Sequence, residues 1–130
     1  MEITSIKETC IYIADVDVSR QFYEGKLGLE VIAATPGKHL FLRAGSSVLL
    51  CFVAAYTQQQ KELPPHGAAG VIHFAFQVEK PHYPAALEQV KAVGIPILYE
   101  QQWTNGVMSF YFNDPDDNLL EIVQAGLRDS

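Results

Sequence analysis

The order strand, helix, strand, strand, strand can be read twice along this chain, and that repetition sharply limits the folds open to it. In the first copy, residues 9–14 alternate loosely around Ile11 and Ile13. Residues 15–26 then carry Val18, Phe22 and Leu27 at helix-like spacing, with Asp15 or Asp17 as N-cap and Gly28 as the stop. A strand over 29–34, a Pro36-Gly37 turn, and a hairpin of 39–43 with 47–53 around Ala44-Gly45-Ser46 complete the unit. After a polar, turn-rich stretch over 54–70 the order resumes. It runs through a strand over 71–78, a helix over 83–93 stopped by Gly94, a strand over 97–101, and a hairpin of 109–112 with 118–123. We expect a single domain over residues 1–130, built from βαβββ modules at 3–57 and 68–126.

The last hairpin carries the chemistry. Asp114-Pro115-Asp116-Asp117-Asn118 is dense turn sequence, and Glu121 follows inside a strand whose other members are Leu119, Leu120 and Ile122. A carboxylate among such neighbours is costly unless it is paired, hydrogen-bonded or bound to a cation. His73 opens a comparable apolar strand, and imidazole with carboxylate suits zinc, iron, nickel or manganese. Superposing the modules by element order sets Glu8 on His73 and Cys51 on Glu121, four inward positions of which three carry ligand-type side chains.

Composition excludes several classes. Apolar residues make up 48% and charged residues 18%, which is globular rather than disordered. A net charge of −6 leaves no basic stripe for nucleic acid. No apolar run reaches the roughly 20 residues that span a bilayer, so no membrane association is expected. Cys10 and Cys51 both sit in apolar strands and are expected as reduced, buried thiols. With no signal peptide ahead of the first strand, a cytoplasmic location is the expectation.

Three stretches carry a resemblance. They are Ile13-Ala14-Asp15 with Phe22-Tyr23 and Leu27-Gly28-Leu29, then Ile72-His73-Phe74-Ala75-Phe76, then Phe110-Tyr111-Phe112 through Asp114-Pro115-Asp116 to Leu120-Glu121. Over residues 3–124 the chain resembles the vicinal oxygen chelate superfamily, which includes glyoxalase I, extradiol dioxygenases, fosfomycin-resistance transferases and bleomycin-resistance proteins. The resemblance implies an α+β fold in which tandem βαβββ modules form a curved mixed sheet enclosing a cavity. It implies a divalent metal (Mn, Fe, Ni, Mg or Zn) on His73, Glu121 and Glu8, although Glu8 stands where the family most often has His. Tyr111 is then a hydrogen-bond donor or weak acid, with Trp103, Met108 and Cys51 facing substrate. His66 belongs to a linker that could close over the site, while His39 and His82 are assigned nothing.

The implied activity is that of a metal-dependent lyase, isomerase or dioxygenase acting on a small oxygenated molecule. The alternative is a metal-free, bleomycin-resistance-type protein that sequesters a small cationic or aromatic ligand. Gln101 stands where fosfomycin-resistance proteins carry Lys, which argues against a phosphonate. Cys51 stands where glyoxalase I has Glu, and basic groups for glutathione are sparse. The resemblance further implies a homodimer, with modules side by side or exchanged.

Overall fold

The computed structural model describes residues 1–129 and resolves them into two compact units that meet in sequence at Gly70 and Val71. Each unit holds one four-stranded mixed sheet, so the repeat is a structural one. The first comprises β1 (Glu8–Tyr12), α1 (Val16–Arg20), β2 (Glu30–Thr35), β3 (His39–Ala44), β4 (Ser47–Phe52) and a short α2 (Ala54–Thr57). The second comprises β5 (His73–Val78), α3 (Tyr83–Ala92), β6 (Tyr99–Gln102), β7 (Met108–Asn113) and β8 (Leu119–Gln124). Strand orders are β1-β4-β3-β2 and β5-β8-β7-β6. In each, the first strand lies parallel to the last and the other pairs are antiparallel.

Local chemistry places the elements. The Asp15 carboxylate accepts the Val18 amide at 3.0 Å, capping α1 as expected. The helix then loosens into a π-helical stretch, Gln21–Lys26, where a regular helix was anticipated. Leu27 N–H donates to the Phe22 carbonyl five residues back, at 3.0 Å. Widening the turn buries both Phe22 and Tyr23, adjacent residues that a regular helix would aim about 100° apart. Gly28 and Gly94 terminate their helices at φ of 77° and 82°.

In the first unit Ile11, Leu40, Leu42, Leu49 and Cys51 are at most 2% exposed and form the buried side of the sheet. In the second, Phe110, Phe112 and Leu120 are fully buried and, with the buried Ile122, form the corresponding side beside Tyr83 and Val90 of α3. Because side chains alternate along a strand, the opposite faces are presented outward from each helix layer. The stretch after β4 is more structured than a polar linker: Thr57 is fully buried, and its hydroxyl donates to the Ala54 carbonyl at 3.3 Å. Among the described residues no helix is long and apolar enough to cross a membrane.

Candidate functional site

The buried acidic turn fixes β8. Asp114 Oδ1 accepts amide hydrogens from Asp116 and Asn118, both at 2.9 Å, and its Oδ2 accepts from Asn118 Nδ2 at 3.0 Å. Asn118 Oδ1 in turn accepts the Ile72 amide at 3.0 Å, tying the turn to the start of β5. Asp117 adopts φ 64°, the left-handed conformation that Asp tolerates better than most residues. This register sets His73 opposite Leu119, Ala75 opposite Glu121, and Glu121 opposite Tyr111.

His73 and Glu121 meet on that face, with Nε2 and Oε1 3.3 Å apart. The imidazole is half exposed, whereas the carboxylate is nearly buried, at 7%. His73 Nδ1 lies 2.9 Å from the Leu119 carbonyl, which can only accept. Nδ1 is therefore the protonated nitrogen, and in the neutral ring Nε2 turns a lone pair toward the carboxylate. Glu121 Oε2 is buried without a hydrogen-bond partner. With the ring neutral, two acceptors face each other, and Oε2 is left without a partner beside them. A cation resolves all three, and 3.3 Å suits two ligands with bonds of about 2.0–2.2 Å to one ion. The carbonyl that orients His73 is the usual outer partner of a metal-ligating imidazole. The pair thus fits a divalent metal.

Tyr111 stands beside this pair, its ring 6.0 Å from that of His73. Burial pushes its phenol above the ordinary value, a hydrogen bond from Ser109 opposes this, and the Glu121 charge and a hydrogen bond to Glu121 add to the rise. The hydroxyl is held neutral, with Glu121 as its acceptor. Trp103 reaches the same face by donating Nε1–H to Ser109 Oγ at 3.1 Å, while the Arg128 guanidinium lies over its ring at 5.3 Å. Ser109 escaped notice in the sequence, although its place two residues before Tyr111 on one strand was the available signal.

Two expected substrate-facing residues lie elsewhere. Met108 has the parity of Phe110 and Phe112, and so belongs to the face opposite Tyr111. Cys51 is fully buried among the core residues of the first unit. The residue equivalent to Glu121 is Leu50: Leu50 pairs with Cys10 and Phe41 as Glu121 pairs with Ala75 and Tyr111, and Glu8 precedes Cys10 by two as His73 precedes Ala75. Superposition by element order was one residue out on β4, and a one-residue slip changes the face. Among the described residues no group of three His, Cys, Asp or Glu side chains is close enough to share an ion.

The first unit has its own open hollow of about 770 Å³, lined among others by Glu8, Cys10, Tyr12, Phe41, Arg43 and His66. Cys10 is exposed there rather than buried as expected. Partial burial raises its pKa, a Tyr12 hydrogen bond opposes the rise, and the Glu8 charge adds to it, so the thiol is not activated. His39, given no role by the sequence, is stacked on Phe41 with ring centroids 4.3 Å apart. Burial, with Lys38 nearby, lowers its pKa.

Known proteins agree with this architecture. The family model of the Glyoxalase/Bleomycin resistance protein/Dioxygenase superfamily matches residues 5–122, and the chain belongs to that superfamily. A lactoylglutathione lyase from Agrobacterium tumefaciens superposes with a TM-score of 0.93 at 30% identity, covering 100% of both chains. The metallothiol transferase FosB of Staphylococcus epidermidis is 24% identical over 99% of this chain and 87% of its own. The glutathione transferase FosA of Serratia marcescens is 26% identical over 96% and 84%, respectively.

Proposed function

We propose that the chain is a divalent-metal-dependent enzyme of the glyoxalase type, a lyase, isomerase or dioxygenase acting on a small molecule with neighbouring oxygens. The observation that supports this is the partnerless, buried Glu121 Oε2 beside an imidazole whose Nε2 lone pair is turned toward the same carboxylate. His73 and Glu121 hold the ion in this reading. Glu8, expected as a third ligand, stands in the first unit at the register position that His73 occupies in the second, and among the described residues no third His, Cys, Asp or Glu joins the pair. A homodimer accompanies it, as in short members of the family.

A metal bound there supplies Lewis acidity toward a developing oxyanion. The protein's own part is orientation and proton placement. The Leu119 carbonyl holds the proton on His73 Nδ1 and keeps Nε2 free. The Tyr111 phenol, kept protonated by burial, donates a hydrogen bond to a substrate oxygen on the same face. Ser109, itself held by Trp103, steadies that phenol.

Metal analysis of protein purified without chelators tests the assignment. Stoichiometric metal is expected in the wild type, with affinity falling more than about a hundredfold in His73→Ala and Glu121→Gln, since losing even an outer partner costs about 10–100-fold. Metal-free wild type that matches both variants in added-metal titrations overturns the proposal and leaves ligand sequestration as the activity.

A further inference from the structure

The outward face of the second unit continues, in register, away from the His73–Glu121 pair. Glu121 and Tyr111 share one row, and Val123, Ser109 and Gln101 form the next. Trp103 follows Gln101 by two residues, which sets its indole one row further along the same face.

A hydrogen-bond relay runs across these rows, and its ends fix its direction. An indole N–H can only donate, and a carboxylate can only accept. Trp103 Nε1 donates to Ser109 Oγ at 3.1 Å. The hydroxyl of the fully buried Ser109 then has its proton to give to the Tyr111 oxygen. The phenol gives its own to Glu121 until a substrate oxygen takes it. Bonds linked in this way polarise one another where water is excluded. The carboxylate of the metal pair is thus joined, through Tyr111 and Ser109, to an indole at the edge of the face.

The turn after β8 secures that indole. Gln124 Oε1 accepts the Met108 amide at 2.9 Å, the Ala125 amide donates to the Val78 carbonyl at 2.8 Å, and Asn105 Nδ2 donates to the Gly126 carbonyl at 3.3 Å. Gly126 adopts φ 114°, and a Cβ there would stand 3.4 Å from Val107 Cγ2, so the turn lies against the loop before β7. Arg128 takes a left-handed φ of 62°, which a non-glycine residue keeps only where its surroundings hold it. Its guanidinium stands over the Trp103 ring, 5.3 Å from the centroid. A cation in that place fixes the plane of the indole and draws on its electrons, which strengthens the N–H as a donor. Its charge also reaches the phenol, opposing the rise in the Tyr111 pKa.

We propose that Arg128 is a positioning residue for Glu121, acting through Trp103, Ser109 and Tyr111. This role rests on the reading of Glu121 as a metal ligand, because a ligating carboxylate depends on outer hydrogen bonds for its orientation.

Trp103 is the chain's one tryptophan, so its indole N–H gives a single NMR cross-peak. Zinc titration of the full chain, followed by that peak and by calorimetry, tests the role. Bound zinc is expected to shift the peak in the wild type and to leave it in place in Ser109→Ala, where the relay is cut. Zinc affinity is expected to fall about threefold to tenfold in Arg128→Gln and in Trp103→Phe, below the roughly 10–100-fold of a direct outer partner. Arg128→Lys restores it. Phenylalanine keeps a ring beneath Arg128 without the donor, and lysine keeps the charge, so neither result follows from packing alone. Amide spectra confirm that each variant is folded. Wild-type affinity in Arg128→Gln, equal losses in the Gln and Lys variants, or a zinc-induced shift that persists in Ser109→Ala overturns the proposal and leaves the metal reading standing. A wild type that takes up no zinc ends the metal reading instead, and the relay is then judged in metal-free protein. There, movement of the indole peak in Glu121→Gln upholds the positioning role, and an unmoved peak overturns it.

Discussion

The two units share one strand order and one pairing register, yet they spend their outward faces differently. Where the second unit sets His73, Glu121 and Tyr111, the first sets Glu8, Leu50 and Phe41. An apolar residue in the central position lets aromatic side chains gather around it. A carboxylate there, buried with one oxygen unpartnered, carries a standing cost that a cation would remove. Duplicate backbones therefore supply equivalent positions, and the residue at one central-strand position decides whether a face carries a buried carboxylate or a cluster of aromatic side chains.

The largest expected effect comes from exchanging that residue. Glu121→Leu, with metal chelated at pH 8, is expected to stabilise the protein by about 1–3 kcal/mol, because it removes a desolvated carboxylate and leaves an apolar side chain as Leu50 does in the first unit. Leu50→Glu is expected to destabilise by a similar amount. Urea denaturation of both variants beside the wild type gives the answer. Destabilisation by Glu121→Leu in chelator would mean that the carboxylate is satisfied without metal, and the contrast between the units would collapse.

That register decided what could be read from the sequence. Tandem strand order, the Asp15 cap and the Gly28 and Gly94 stops were legible because each is a local rule acting on a few neighbouring residues. The equivalence of Leu50 rather than Cys51 to Glu121 was not, because β4 follows a tight turn at Gly45 while β8 follows the longer acidic turn. Counting along the chain cannot see that difference in turn length. Met108 was misplaced for a related reason: nearness to the Thr104-Asn105-Gly106 turn suggested the site mouth, but strand parity sends it to the other face. His66 depends on a contact spanning 54 residues to Tyr12, beyond any local pattern. The break of the first helix into π geometry needed the core to demand both Phe22 and Tyr23.

The helix layers offer a second contrast. Tyr83 packs on Phe110 with its hydroxyl buried and unpartnered, and burial, with Glu100 adding, raises its pKa to about 12 from 10.0. Between these two values the unfolded chain has lost this proton while the folded one retains it, so stability falls as pH rises. Tyr83→Phe abolishes this contribution. Melting temperatures measured between pH 9 and pH 12 are expected to fall less steeply for the variant, whereas parallel curves would show that the phenol ionises freely in the fold.

The smallest effect tests the turns themselves. Gly45 between β3 and β4 and Asp117 between β7 and β8 adopt φ of 60° and 64°, so the same backbone demand is met by glycine in one unit and aspartate in the other. An L-residue in this region costs roughly 1 kcal/mol, partly offset for Asp by its short polar side chain. Glycine has greater freedom to lose on folding, which reduces the benefit of removing that strain. The Asp117 amide donates to the Asp114 carbonyl at 3.1 Å, a bond that glycine keeps. Asp117→Gly is therefore expected to raise stability by about 0.5–1 kcal/mol, and Gly45→Asp to lower it by a similar amount. Opposite signs in matched denaturation curves would show that the two turns pose one conformational problem. A loss of stability in Asp117→Gly would show instead that the aspartate side chain contributes to the turn that sets Glu121.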